Sequence, residues 1–201
     1  MPKLNYLHDP MCSWCWAFRP VWNEILSKLP EKIDVIGILG GLAPDNSAPM
    51  PIEMQAKIQS IWRTIETRVP GTEFNFDFWR LCRPRRSTYA ACRAVIAARN
   101  QGAQCEWAMV FAIQNAYYLQ ARNPSDDATL IDLAVSLELE QGRFVDELNS
   151  IETQRELDRQ IEFARLVGVT GFPSLVLEND GRYTSIPLDY TDPALTLDQL
   201  R

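Results

Sequence analysis

The stretch LHDPMCSWCWAFRPVW, Leu7 to Trp22, decides the reading of this chain. It places Cys12 and Cys15 with two residues between them, a spacing that serves a metal site, a structural staple or electron exchange with other thiols. The flanking segments show where the pair sits. Lys3 to His8 (KLNYLH) is short, alternating and β-prone, and Lys32 to Leu39 (KIDVIGIL) reads as a buried strand closed by Gly40 and Gly41. Between them Trp14, Phe18, Val21, Trp22, Ile25 and Leu29 recur at spacings of three and four, which is one face of an α-helix. The unit is strand, helix, strand, and the cysteines stand where the first strand gives way to the helix.

From about Pro51 to Val167 strand signals vanish and helical ones follow each other. Ile58, Ile61, Trp62 and Ile65 form one stripe, and Leu130, Leu133, Ala134 and Leu137 another, which Gly142 is placed to end. Thr153 and Glu156 have the spacing of a capping box that opens a last long helix, stopped by Gly168. Strand signals return in Pro173 to Glu178 and in Arg182 to Ile186, joined by Asn179, Asp180 and Gly181 as a hairpin, with a short helix around Pro193 to Leu200. The expected organisation is one α/β unit split by helices: 1–45 with the CxxC, a helical insertion over 46–167, and a C-terminal part over 168–201.

Composition bounds the function. The chain has 201 residues, 46% hydrophobic and 23% charged, enough for a real core. A net charge of -6 provides no basic field for a nucleic-acid backbone. No segment approaches the roughly 18 to 20 apolar residues that span a bilayer, and the first ten residues lack a signal-peptide core, so the expected location is cytoplasmic, away from membranes. A reducing compartment disfavours structural disulfides, and five cysteines leave at least one unpaired.

Zinc is the main rival for the CxxC, and it needs about four ligands, usually as two pairs. There is no second CxxC and only one histidine, His8. Thiol chemistry fits better. A thiolate is the nucleophile, and a sulfur ahead of a helix faces the positive end of the helix dipole, worth roughly half a charge. Cys12 holds that place, and Cys15, one turn later and more enclosed, can attack a mixed disulfide formed at Cys12 and release the other partner.

DPMCSWCW with the strand before it, Pro20 five residues after Cys15, the block of helices, and GVTGFPS (Gly168 to Ser174) together resemble the DsbA family of thioredoxin-fold oxidoreductases, in particular its cytoplasmic FrnE-like branch. LGGLAP (Leu39 to Pro44) and Ala116 to Ala134 are also similar to that branch, so the likeness covers nearly the whole chain. It implies a thioredoxin fold, β-α-β then β-β-α, carrying a large all-helical insertion, and dithiol-disulfide exchange through Cys12 and Cys15. It further implies that Pro173 is cis and faces the cysteines, that Pro20 kinks the first helix, and that Ser13, Trp14, Thr170 and Phe172 meet the substrate. A cis proline leaves the backbone of Phe172 free to pair with an extended substrate segment. Partners would be protein or small-molecule thiols and disulfides, with glutathione as a co-substrate and no metal. The kappa-class glutathione transferases and 2-hydroxychromene-2-carboxylate isomerases share the helical insertion but usually place serine where Cys12 stands, so a glutathione-dependent transferase or isomerase is the alternative, and a zinc-binding domain a third.

Other residues have plainer readings. His8 reads as a solvated strand-end histidine, with proton exchange at the thiols as the alternative. Asp9 and Glu24 read as solvating or capping carboxylates, although either could take a proton from Cys15. Cys82, among Arg80, Arg83, Arg85 and Arg86, reads as part of a solvated loop that could otherwise hold an anion, and Cys92 and Cys105 as small buried hydrophobes. Trp62, Trp79, Trp107, Tyr117 and Tyr118 read as core or groove lining.

Overall fold

The computed structural model describes residues 1–200. Its sheet is built around β1 (Lys3–His8), which pairs in parallel with β2 (Asp34–Leu39) and antiparallel with β3 (Ser174–Asn179); β4 (Arg182–Ile186) completes the order β2-β1-β3-β4. Helix α1 (Ser13–Lys28) joins β1 to β2, and α2 (Ile52–Arg68), α3 (Phe78–Leu81), α4 (Tyr89–Gln101), α5 (Ala103–Tyr118), α6 (Asp127–Ser136), α7 (Gln141–Leu148) and α8 (Ile151–Leu166) lie between β2 and β3. A single turn, α9 (Ala194–Leu197), follows β4. This is an α/β thioredoxin fold rich in helix.

Alternation along β1 covers both faces of the sheet, because successive side chains point to opposite sides. Leu4 and Tyr6 pack with Phe18, Val21, Trp22 and Ile25 of α1, whereas Leu7 packs with Val176 and with Ala164 of α8. A central position buries β1 from Leu4 to His8. The sequence points equally to a buried β2, but β2 is an edge strand and leaves Ile36 37% exposed. One neighbour is missing, so its outer side meets water. The hairpin behaves as the Asp-Gly pair dictates: Asp180 (φ 49) and Gly181 (φ 73) both take the left-handed conformation that a tight two-residue turn requires.

The helices have their own core around α4, in which every residue from Ala90 to Ala98 is buried. That run includes Arg93, whose guanidinium reaches Asp45, Gln154, Asn149 and the Leu148 carbonyl and is thereby satisfied away from water. Two expected boundaries differ. Gly142 does not end α6; it sits in the first turn of α7, where Glu140 accepts from the amides of Gly142 and Arg143. The turn after α6 is made by Glu138 in the left-handed region (φ 59). Helix α8 is capped by Ser150, whose Oγ accepts from the Thr153 amide, so Thr153 lies inside the first turn instead of capping it.

His8 is the clearest departure from expectation. It is 1% exposed, stacked on Tyr6 (ring centroids 4.9 Å) and on Trp107 (5.3 Å). Strand β1 ends under helices and not in water, since α1 and α5 cover the face that Tyr6 and His8 share. Burial lowers its basicity from the ordinary 6.5 to about 3. The folded chain therefore resists a proton that the unfolded chain accepts, and stability is full above pH 6.5 and lost as the pH falls toward 3, by up to about 5 kcal/mol from this residue. Buried Asp9, whose affinity for protons is raised by burial, acts in the opposite sense. Denaturant titrations at several pH values in this window should show a weaker acid dependence for His8→Phe than for the wild type; equal slopes would show that His8 is not held neutral.

Candidate active site

The site begins with the end of β1. Asp9 is fully buried, and its carboxylate accepts from the Met11 amide (2.8 Å), the Leu42 amide (2.8 Å) and the Thr88 hydroxyl (2.7 Å), with the Cys92 sulfur at 3.6 Å. The Asp9 carbonyl accepts from the Cys12 amide, which turns the chain into α1. Three separate segments are thereby fixed around one carboxylate: the approach to the CxxC, the loop after β2, and the start of α4. The sequence suggests a solvating or capping role for Asp9, and burial overturns it. Glu24 is exposed and pairs with Lys28.

Cys12 is the residue before α1 and makes no side-chain cap hydrogen bond. The first amides of the helix thus present their positive end to a thiolate formed there. Its Sγ lies 3.4 Å from the carbonyl oxygen of Phe172, and the Phe172–Pro173 bond is cis. Gly40 makes this approach feasible: a Cβ there would come within 1.9 Å of the Phe172 ring. The next residue, Gly41, turns in the left-handed region (φ 59) toward Leu42 and the Asp9 clamp.

Cys15 lies one turn deeper. It is 1% exposed against 6% for Cys12, and both thiols are free. Burial, with the Cys12 thiol beside it, pushes the Cys15 thiol well above the ordinary range. The Tyr6 hydroxyl is in hydrogen-bond contact with it, and burial raises that phenol too. Position within one helix turn separates an accessible sulfur from a shielded one.

Cys12 opens on a groove of about 350 Å³. Ser13, Trp14 and Phe172 line it from the thioredoxin side, and α2 contributes Met54, Lys57, Ile58 and Ile61 from the other. Trp62, Tyr117 and Arg86 close it. Of the residues singled out in the sequence, Cys12, Ser13, Trp14 and Phe172 meet here, together with Trp62 and Tyr117, which read as core or groove lining. Pro173 is buried behind them, and Thr170 is exposed and does not line the groove. The groove role of Met54, Lys57, Ile58 and Ile61 was missed, although they fall at i, i+3, i+4 and i+7, an extension of the apolar stripe with a lysine in it. A larger cleft of about 510 Å³ is lined by Arg99, Glu147, Glu156 and Arg159 but contains no thiol.

The arginine cluster around Cys82 disperses. Arg80 pairs with Asp77 and Arg85 with Asp126, while Arg86 turns to the groove. Cys82 is not in an open loop; its thiol donates to the Ala121 carbonyl at 3.0 Å, and burial raises its pKa. Cys92 is buried as expected, whereas Cys105 is only partly so. Among the described residues no group of three or more His, Cys, Asp or Glu is placed to hold a metal ion, and no helix is long and apolar enough to cross a membrane.

Known proteins share this architecture. A structure from Nitrosomonas europaea, provisionally assigned as a protein disulfide isomerase, superposes with a TM-score of 0.85 at 29% identity, covering 99% of this chain and 95% of that one. The cytosolic disulfide reductase DsbM from Pseudomonas aeruginosa superposes with a TM-score of 0.75 at 23% identity over 98% of this chain and 93% of DsbM. Among curated relatives, the ClpXP adapter protein SpxH of Halalkalibacterium halodurans is 24% identical over 176 residues, which are 86% of this chain but 57% of that protein. The chain thus spans little more than half the length of that relative. The family model of the DSBA-like thioredoxin domain matches residues 4–196. Because that match begins in β1 and ends in α9, taking in both the sheet and the helices inserted in it, this chain belongs to the DSBA-like thioredoxin domain family.

Proposed function

We propose that this protein is a thiol-disulfide oxidoreductase in which Cys12 exchanges with the substrate and Cys15 resolves. The observation that carries the reading is the pair itself: a sulfur at the head of α1, opening on a groove and 3.4 Å from a backbone carbonyl, with a second thiol shielded one turn behind. A Cys12 thiolate attacks one sulfur of a bound disulfide and expels the other as a thiolate. Cys15 then attacks Cys12 Sγ, the pair closes, and the second substrate thiol leaves. The Phe172 carbonyl, which accepts from the Cys12 thiol in the free protein, becomes an acceptor for a backbone N–H of an extended substrate, while Trp14 and the apolar residues of α2 hold its side chains. Ser13 flanks that path.

Within this reading we favour reduction in the cytoplasm. A glutathione pool poised at roughly -220 to -320 mV keeps such a pair in the dithiol form, ready to reduce. The DsbM structures, one solved with GSH, support glutathione as the co-substrate. Lys57 and Arg86 border the Cys12 groove, and among the described residues neither is ion-paired, so two cations stand ready for the carboxylates of a peptide such as glutathione. A glutathione-dependent transferase or isomerase would use the same groove, but a cysteine at position 12 suits exchange better than a serine-based site.

Titration with glutathione redox buffers, read by Trp14 and Trp16 fluorescence and by thiol counting, should show one reversible Cys12–Cys15 disulfide. Cys15→Ser should accumulate a mixed disulfide with glutathione at Cys12, and Cys12→Ser should form none; a pair that never closes would sink the proposal. Reversing both cations, Lys57→Glu with Arg86→Glu, should slow attack on glutathione disulfide about tenfold at low salt while sparing an uncharged disulfide, and the difference should shrink as salt screens it. Gly40→Ala, which must displace the Phe172 ring, should slow both substrates alike.

A further inference from the structure

Behind Cys15, on the side away from the groove, lies a second and much smaller space. Its water-accessible volume is about 10 Å³, room for one water molecule. Tyr6 and His8 of β1, Cys15, Arg19 and Trp22 of α1, and Gln114 of α5 line it, and the rest of its wall is apolar. Four buried polar atoms of these residues have no protein partner: Nδ1 and Nε2 of His8, Nε1 of Trp22 and Oε1 of Gln114. Folded proteins leave few such atoms, and those they do leave mark a bound water or a chemical role. Here their residues line one small cavity together with the shielded Cys15. A water molecule matches three of the four, because it donates to one His8 nitrogen and to Gln114 Oε1 and accepts from Trp22 Nε1.

We propose that this cavity is a hydration site, held by His8, Trp22 and Gln114, whose water relays the proton of Cys15 to solvent when Cys15 attacks the mixed disulfide. The inference rests on the exchange reading above. In the step, the Cys15 S–H bond breaks and its proton passes to the cavity water. The freed electron pair forms the Cys15–Cys12 bond, and the bond from Cys12 to the substrate sulfur breaks with its pair on the substrate. The substrate leaves as a thiolate and is protonated from solvent, while the cavity water passes a proton on to solvent in the same step. Electrons and protons balance: one disulfide replaces another, and one proton moves from Cys15 to the departing thiol.

The other groups around Cys15 do not offer this route. Cys12 is engaged in the mixed disulfide, and Arg19 is a cation. The oxygens of Asp9 are already taken by Met11, Leu42 and Thr88. Tyr6, Tyr118 of α5 and Tyr190 carry phenols that burial raises further, so they do not ionise to accept a proton from Cys15. Neutral His8 acts as a positioning residue: one ring nitrogen accepts a hydrogen bond from the water and orients it, with no buried imidazolium required.

His8→Phe keeps the stack with Tyr6 and Trp107 and removes two polar atoms; Gln114→Leu removes the polar group on the opposite wall. Rapid mixing with glutathione disulfide separates formation of the mixed disulfide at Cys12 from its resolution by Cys15. Both variants are expected to resolve about tenfold or more slowly at neutral pH, with the first step unchanged and the deficit shrinking at high pH, where hydroxide removes the proton directly. A high-resolution crystal structure should place an ordered water within reach of His8 and Gln114. Resolution at the wild-type rate across the pH range in both variants overturns the proposal, as does equal slowing of both steps, which reports a structural role only. If His8→Phe does not fold, Gln114→Leu decides by the same criteria. Failure of the wild type to form any mixed disulfide at Cys12 overturns the exchange reading itself, and the proton route with it.

Discussion

A single buried carboxylate organises the site. Asp9 has no access to water, and each of its oxygens is held by donors from another part of the chain: Met11 on the approach to the cysteines, Leu42 after β2, and Thr88 at the start of α4. An isolated carboxylate in such surroundings is costly, and only hydrogen bonds offset the loss of water. The same bonds that satisfy Asp9 therefore hold the CxxC against the Gly40–Gly41 loop and dock the helical block on the sheet. Remove one segment and the carboxylate loses a donor; remove the carboxylate and three segments lose their common anchor.

The two sulfurs owe their difference to depth. Cys12 ends the loop that Asp9 holds and looks onto the groove, while Cys15 follows by one helical turn and faces the aromatic wall of Tyr6, His8, Trp22 and Trp107. That wall is the inner face of β1 meeting α1 and α5. Centrality of β1 in the sheet buries it, and burial is what keeps the Cys15 thiol protonated until it is needed. The groove is composite in the same way, with Cys12, Trp14 and Phe172 from the thioredoxin unit and Met54, Lys57 and Ile58 from α2. Neither unit alone encloses it.

Local chemistry was legible where it is local. The alternation of β1, the helical spacing after Cys12, the Asp-Gly turn and the glycine that ends α8 each depend on residues within a few positions, and each appears where the pattern places it. Caps were read less well. Ser150 and not Thr153 caps α8, and Glu140 and not a glycine shapes the junction before α7, because several candidates within one turn satisfy the same spacing rule. Arg93, in a run from Ala90 to Ala98 that is otherwise apolar, gave no sign that its guanidinium would be buried, since its partners lie 48 to 61 residues away.

The amino-acid order alone settles the chemistry available: two thiols two residues apart at a helix start, a second motif ending in Phe172-Pro173, and a family resemblance carried by both. Tertiary packing decides which groups that chemistry meets. His8 reads as a solvated residue at a strand end, yet its neighbours in space are Trp107 and Gln114, about a hundred positions away, and they make it neutral and buried. Lys57 and Arg86 reach the groove for the same reason, each brought there by the packing of its own segment. Spacing along a chain encodes the period of a helix or strand, but burial and charge are properties of surroundings, and those exist only once distant segments are in contact.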